Sequence, residues 1–280
     1  MRMWRLLSCI VCFCGVATNV FATDLDIALQ KTYVSCVGIS DMLSDVKKLA
    51  GINTVVTGVG TVAGGGALVA GIKKAKLLNR LQEIEDSSPE DKVSFDDLEI
   101  QQRTDFKPNL KSRAKKLGNW RTGLLAVNTA TNVAGAVIAH KNANNVELEE
   151  KIVQCTDSIN NLQDAIAKAK FENLDTTEAV AIYDACSEYK YVDLSVLKKR
   201  AKGAEISSVV GGGAGAVGII TSAVANNSSG EKEKNLDTVS NVLAGGATVL
   251  TGSATVFNAL QISAVKKIVG VADNCESLLK

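Results

Sequence analysis

Histidine is almost missing from this chain: His140 is the only one in 280 residues. That excludes a His-based metal cluster and leaves little basis for a nucleophile–His–carboxylate triad, whose base is an imidazole. Aromatic residues are nearly as scarce, at 4%. Because aromatics dominate burial in conventional large cores, a broad aromatic-filled interior is not expected. The two prolines, Pro89 and Pro108, both fall in one polar stretch, so helices elsewhere can run long without a break. A net charge of +1 supplies no global field to attract nucleic acid. No CxxC occurs, which removes the usual redox motif and zinc ribbon. Carboxylates are confined to polar stretches, and no acid–base pair stands out. The chain therefore reads as a non-enzyme with no cofactor, no nucleotide and no nucleic-acid partner.

What it has instead is glycine, 23 of them, set in long uncharged runs with Ala, Val, Ser and Thr. Leu194–Ala225 is the organising stretch. Written as a helix it aligns Leu194, Leu197, Ala201, Ala204, Ser208, Gly211, Gly215, Gly218, Ser222 and Ala225 at alternating spacings of three and four. That is the seam of a helix packed along a neighbour. The seam begins with Leu and turns into Gly, Ala and Ser, the residues that let backbones close in where water supplies no hydrophobic drive. From Ile206 to Gly230 no residue is charged.

Three more such runs bring the apolar spans to residues 50–72, 122–139, 206–225 and 238–265. Gly51, Gly58 and Gly65 recur every seven residues in the first, where Gly60 and Gly64 also form a GxxxG; Gly245 and Gly252 repeat the interval in the last. Each run is close to the roughly 20 residues that cross a hydrocarbon layer of about 30 Å. Asn128 and Asn132 lie inside the second and, in lipid, need partners on neighbouring helices. Gly213, Gly215 and Gly218 spell GxGxxG, but the strand and the acidic residue that complete a dinucleotide site do not follow.

Residues 1–22 read as a signal peptide, with Arg2 and Arg5 before the apolar Leu6–Val16 and cleavage after Ala22. Cys9, Cys12 and Cys14 depart with it, leaving Cys36, Cys155, Cys186 and Cys275, an even number suited to disulfides in an exported chain. The plan of the chain repeats. Cys36 and Lys47-Lys48 precede one Gly-rich span as Cys186 and Lys198-Lys199 precede another, and Lys-Ile-Val recurs at 151–153 and 267–269 before Cys155 and Cys275. The expected fold is all-α: two antiparallel helical hairpins, residues 23–172 and 173–280, with small-residue seams. They form a four-helix transmembrane bundle extended by coiled segments on the exported side. An antiparallel hairpin brings its two open ends together, so the expected pairs are Cys36–Cys155 and Cys186–Cys275.

The polar stretch 73–121 is basic at both ends (Lys73, Lys74, Lys76, Arg80; Lys107, Lys111, Arg113, Lys115, Lys116, Arg121) and acidic between. The positive-inside rule makes it a cytoplasmic loop, and Ser88-Pro89 marks a helix start within it. The resulting expectation is a bacterial inner-membrane protein with periplasmic termini. Its partners are the lipid bilayer and another copy or protein met through small-residue helix faces, in a structural or assembly role. A secreted soluble helical bundle and a membrane-inserting pore are the alternatives.

Overall fold

The computed structural model describes residues 23–86 and 97–279, with side chains outside 85–107. The expected signal peptide and the expected Ser88-Pro89 helix start lie outside the described residues. Among the described residues seven α-helices follow in order: α1 (Asp24–Cys36), α2 (Ile39–Asp86), α3 (Asp97–Ala143), α4 (Val146–Phe171), α5 (Thr177–Cys186), α6 (Leu194–Asn226) and α7 (Glu231–Leu279), with a 3₁₀ turn at Ser187–Tyr191 between α5 and α6. The described fold is all-α.

Helix ends follow local chemistry. Thr23 and Asp26 form a capping box at the start of α1. Asn145 Oδ1 accepts from Leu148 N–H at 3.1 Å to open α4, and Asp193 Oδ1 accepts from Ser195 N–H at 2.8 Å to open α6. The helical course from Asp24 into the first span is broken at Val37-Gly38. Gly38 has φ +93°, a conformation that a side chain would strain, and it sets α1 off from α2. The expected loop 73–121 is also largely helical. α2 continues to Asp86 and α3 starts at Asp97 and passes through Pro108, so this hairpin extends well past the tip of the other.

α2, α3, α6 and α7 form an up-down-up-down bundle. α2 packs on α3 and α7, and α6 packs on the same two, so each helix lies antiparallel to both neighbours. The two hairpins are thus not separate packing units. At the end away from the 73–121 segment, α1, α4 and α5 pack around the bundle helices and build a head. Its core is aliphatic: Leu25, Ile39, Leu43, Ile152, Ile159, Leu162, Ile182 and Val265 are buried together with Cys36, Cys155, Cys186 and Cys275.

The bundle above the head is built the other way round. Large apolar side chains face outward, among them Val62 (77% exposed), Val242 (70%) and Val249 (69%), while Asn53, Asn128, Asn132, Thr251 and Asn258 are fully buried. All four bundle helices are long and apolar enough to cross a membrane. The seam of α6 runs through the interior: Leu197, Ala201, Ala204, Ser208, Gly211, Gly215, Gly218, Ser222 and Ala225 are all buried, and Leu194 is half-buried.

Candidate functional site: the polar interior of the bundle

Two groups of buried polar side chains lie along the bundle axis. The first sits at the tip of the α6–α7 hairpin and is ionic. Lys74 on α2 places Nζ 2.9 Å from Asp237 Oδ2 and 3.0 Å from Glu233 Oε1 on α7, and donates to Asn226 Oδ1 at 2.9 Å. Arg121 on α3 donates from Nε to Ser222 Oγ at 2.9 Å, from Nη1 to Asn241 Oδ1 at 3.1 Å, and from Nη2 to Asp237 Oδ1. Lys74, Arg121 and Asp237 are 1%, 0% and 2% exposed. With Glu233, two cations meet two carboxylates, so charge is balanced and all four bundle helices are joined at one level. Charges removed from solvent in this way persist only with full pairing.

The second group is neutral and lies in the middle of the bundle. Asn128 Nδ2 donates to Gly60 O at 2.7 Å and to Thr251 Oγ1 at 3.1 Å; Asn132 Nδ2 donates to Thr251 Oγ1 at 2.7 Å. Asn53 Nδ2 donates to Gly135 O at 3.1 Å and to Asn258 Oδ1 at 3.1 Å. Asn128 and Asn132 therefore find partners across helices. Towards the head the satisfaction fails: Asn53 Oδ1, Asn132 Oδ1, Ser208 Oγ, Asn258 Nδ2 and both polar atoms of Gln261 and of Asn142 are buried with no protein partner. An unmet buried polar group costs about 1–3 kcal/mol, and these groups are spread over about 15 Å of α3, from Asn132 to Asn142.

Particular glycines make room for side chains of the neighbouring helices. A Cβ on Gly60 would stand 2.3 Å from Thr131 Oγ1, on Gly64 2.5 Å from Thr248 Oγ1, and on Gly215 2.4 Å from Thr129 Oγ1. At Gly211 and Gly218 the nearest atoms are 3.2 and 3.4 Å away. The packing role expected for Gly51, Gly58, Gly65 and Gly245 is not made inside this chain, since a Cβ there meets nothing within 4 Å, and at Gly252 it meets only Thr61 Cγ2 at 3.7 Å. The heptad interval chose the outward line of α2; the GxxxG at Gly60 and Gly64 is the inward one. Ala126, Ala130 and Ala134, regularly spaced on α3, likewise face outward.

Below the bundle, disulfides join Cys36 to Cys155 and Cys186 to Cys275, with Cα separations of 4.7 and 4.5 Å. Nearby, the Tyr189 side chain is buried; burial, then the negative charge of Glu276 and Asp273, raises its phenol above the usual range and keeps it neutral. His140 is exposed and lies 2.9 Å from Glu205 Oε1. Gly213, Gly215 and Gly218 fall inside α6, where backbone N–H groups are spent on helix hydrogen bonds and form no phosphate cradle. Among the described residues, no group of three or more His, Cys, Asp or Glu side chains could hold a metal ion.

Sequence reasoning did not find the ionic group. Lys74 and Arg121 were visible only as two of many bases flanking a loop, and Asp237 as one more acid before a span. The available signal was spacing: Lys74 stands just past Lys73 at the end of one uncharged run, Arg121 adjoins the start of the next, and Asp237 immediately precedes the last one. No protein-family model, no curated protein and no solved structure matches the chain.

Proposed function

We propose that this chain is a non-enzymatic integral membrane protein with a structural or assembly role. Its four Gly-rich helices cross the bilayer and its disulfide-closed head stands on the exported side. One observation carries the reading: the bundle exposes Val and Ile and buries Asn, Thr, Arg, Lys and Asp, whereas the head encloses an aliphatic core. Water makes the second arrangement favourable and the first very costly. Lipid inverts the balance, because tails solvate Val outside and the helices satisfy their polar groups on one another.

The uncharged runs support a common belt. Ala50–Ile72 rises about 34 Å and Thr122–Ala139 about 27 Å at 1.5 Å per residue, close to a hydrocarbon thickness of roughly 30 Å. Lys73, Lys76, Arg80, Lys111, Arg113, Lys115 and Lys116 are exposed just past one end of that belt, and the exposed Trp120 sits at its edge. Bases and an interfacial Trp in these places favour a cytoplasmic 73–121 segment, with both termini and the head in the periplasm. The assembly role rests on α2. Gly51, Gly58 and Gly65 face outward against no atom of their own chain, a small-residue line on which a second helix can seat.

Carbonate extraction of cell membranes tests the membrane reading: the chain should stay with the lipid fraction. Reporter fusions at Asp96 and at Asp164 test the orientation and should report opposite sides. Release by carbonate, with both reporters exported, would replace this reading with a secreted soluble bundle.

A further inference from the structure

At and beyond the tip of the α6–α7 hairpin, α2 and α3 run on as an arm whose base is a collar of positive charge. Lys73, Lys76 and Arg80 of α2 and Lys111, Arg113, Lys115 and Lys116 of α3 are all exposed. Helical spacing puts Lys73, Lys76 and Arg80 on one line of α2, and Arg113, Lys116 and Trp120 on one line of α3. The uncharged runs end at Ile72 and begin again at Thr122. At 1.5 Å per residue, Lys73, Lys76, Lys115 and Lys116 lie within about 11 Å of those ends, and Arg80, Arg113 and Lys111 within about 17 Å. The arm's acids begin where its bases stop: Glu83 lies about 17 Å past Ile72, and Asp105, Glu99 and Asp97 lie about 26 to 38 Å past Thr122 along α3. The tip of α6–α7 adds Glu231 beside Lys232 and Lys234 at the collar, so the balance there stays positive.

The head end of the same bundle also carries bases, but there they are mixed with acids: Lys48 pairs with Asp45 and Lys198 with Glu149, each at 3.1 Å, and His140 lies beside Glu205. Among the described residues, no ion pair includes any of the seven collar bases. Like charges set this close repel one another, and an anionic surface laid against them removes that cost. Trp120 and Ile72, 68% and 46% exposed, stand at the inner edge of the collar, the place of an indole at the headgroup level. Lys and Arg stems lie along apolar surface and carry their charges to the same level. A cluster of roughly four to eight bases directly beside a membrane span attracts anionic headgroups. We propose that this collar binds anionic phospholipids of the leaflet it adjoins, with Lys73, Lys76, Lys115 and Lys116 holding the headgroup phosphates and Trp120 seated among them. The proposal rests on the four helices crossing a bilayer.

The test uses the full chain reconstituted into phosphatidylcholine vesicles that carry a trace of spin-labelled phosphatidylglycerol or, separately, spin-labelled phosphatidylcholine. Electron paramagnetic resonance reads the fraction of each label slowed by contact with the protein. At low salt that contact should favour phosphatidylglycerol at least about threefold. The preference should shrink towards unity at about 1 M salt, where the screening length falls to about 3 Å. Lys73→Gln, Lys76→Gln, Lys115→Gln and Lys116→Gln combined should abolish it, and as exposed substitutions they should leave the fold intact. Lys141→Gln, Lys199→Gln, Lys202→Gln and Lys266→Gln combined, equally exposed but at the head end, should leave the preference unchanged. Equal slowing of both lipids at low salt, or a preference lost with the head-end set and kept without the collar set, would overturn the proposal and leave the membrane reading standing. Slowing of neither lipid would remove both. A collar that retains a labelled random-sequence oligonucleotide and prefers neither lipid would assign the patch to nucleic acid and overturn the proposal as well.

Discussion

Asp237→Asn is the sharpest single perturbation of the bundle. The substitution keeps shape and volume and removes one charge from a group of four. In the wild type, Asp237 takes Lys74 at 2.9 Å and also Arg121, and both cations are at most 1% exposed. Afterwards two buried cations share one carboxylate, Glu233, which contacts only Lys74 at 3.0 Å. Arg121 keeps Ser222 and Asn241 as acceptors but loses its counter-charge. Removing one partner of a buried pair typically costs about 3–5 kcal/mol, and the asparagine oxygen, still an acceptor, recovers part of that. A net loss of about 2–4 kcal/mol is expected, read by circular dichroism during unfolding in detergent. Lys74→Met combined with Asp237→Asn restores the charge balance and should be less damaging than the sum of the two single changes, a coupling of about 1–3 kcal/mol. A loss below about 1 kcal/mol for Asp237→Asn, or strict additivity in the double variant, would refute the claim that these charges act as one closed unit.

The remaining predictions concern packing, covalent structure and pH. Gly215→Leu should cost at least the usual overpacking loss of about 1–3 kcal/mol, because even a Cβ there meets Thr129 Oγ1 at 2.4 Å, whereas Val217→Leu, at a position 49% exposed, should be mild; equal tolerance in a thermal-unfolding comparison would remove the seam argument. Gly51→Ala meets nothing and should be neutral or gain up to about 1 kcal/mol from helix propensity. Non-reducing peptide mapping should recover Cys36 with Cys155 and Cys186 with Cys275; a Cys155–Cys186 peptide would contradict the hairpin closure. Removing either bond, which spans 119 or 89 residues, should cost about 2–5 kcal/mol. Thr23 holds the Asp26 carboxyl below its ordinary range by side-chain and then backbone hydrogen bonds. The cap's contribution is therefore full above the ordinary aspartate value and lost as pH falls through the lowered one. Amide exchange at Asp26 and Ile27 should speed up only on that acid side; equal protection across the range would count against the capping box.

The periodicity of the chain was enough to establish long helices and the α6 seam, but not the ends of α2 and α3, which run on through most of the segment expected as a loop. Ser208, Gly211, Gly215, Gly218 and Ser222 share one line at any backbone position of a helix, because that line follows from 3.6 residues per turn alone. The cysteine pairing was also legible, since an antiparallel hairpin of known arm lengths brings its open ends together whatever its sides touch. The α1–α2 break at Gly38 was not. A glycine among many glycines carries no mark of positive φ, which arises only when the head folds α1 back onto α4.

Which glycine line of α2 faces inward was decided by tertiary structure. Gly51, Gly58, Gly65 and Gly60, Gly64 are both regular small-residue lines, and nothing local ranks them. Asn53, Thr57 and Gly60 turn inward because Asn258, Thr255 and Asn128 on other helices meet them there. The ionic group is likewise nonlocal. Lys74, Arg121 and Asp237 are separated by tens of residues, and each reads alone as an ordinary surface charge. Only the side-by-side placement of two hairpins in one bundle brings both cations within hydrogen-bond reach of Asp237, which stabilises them once water is gone.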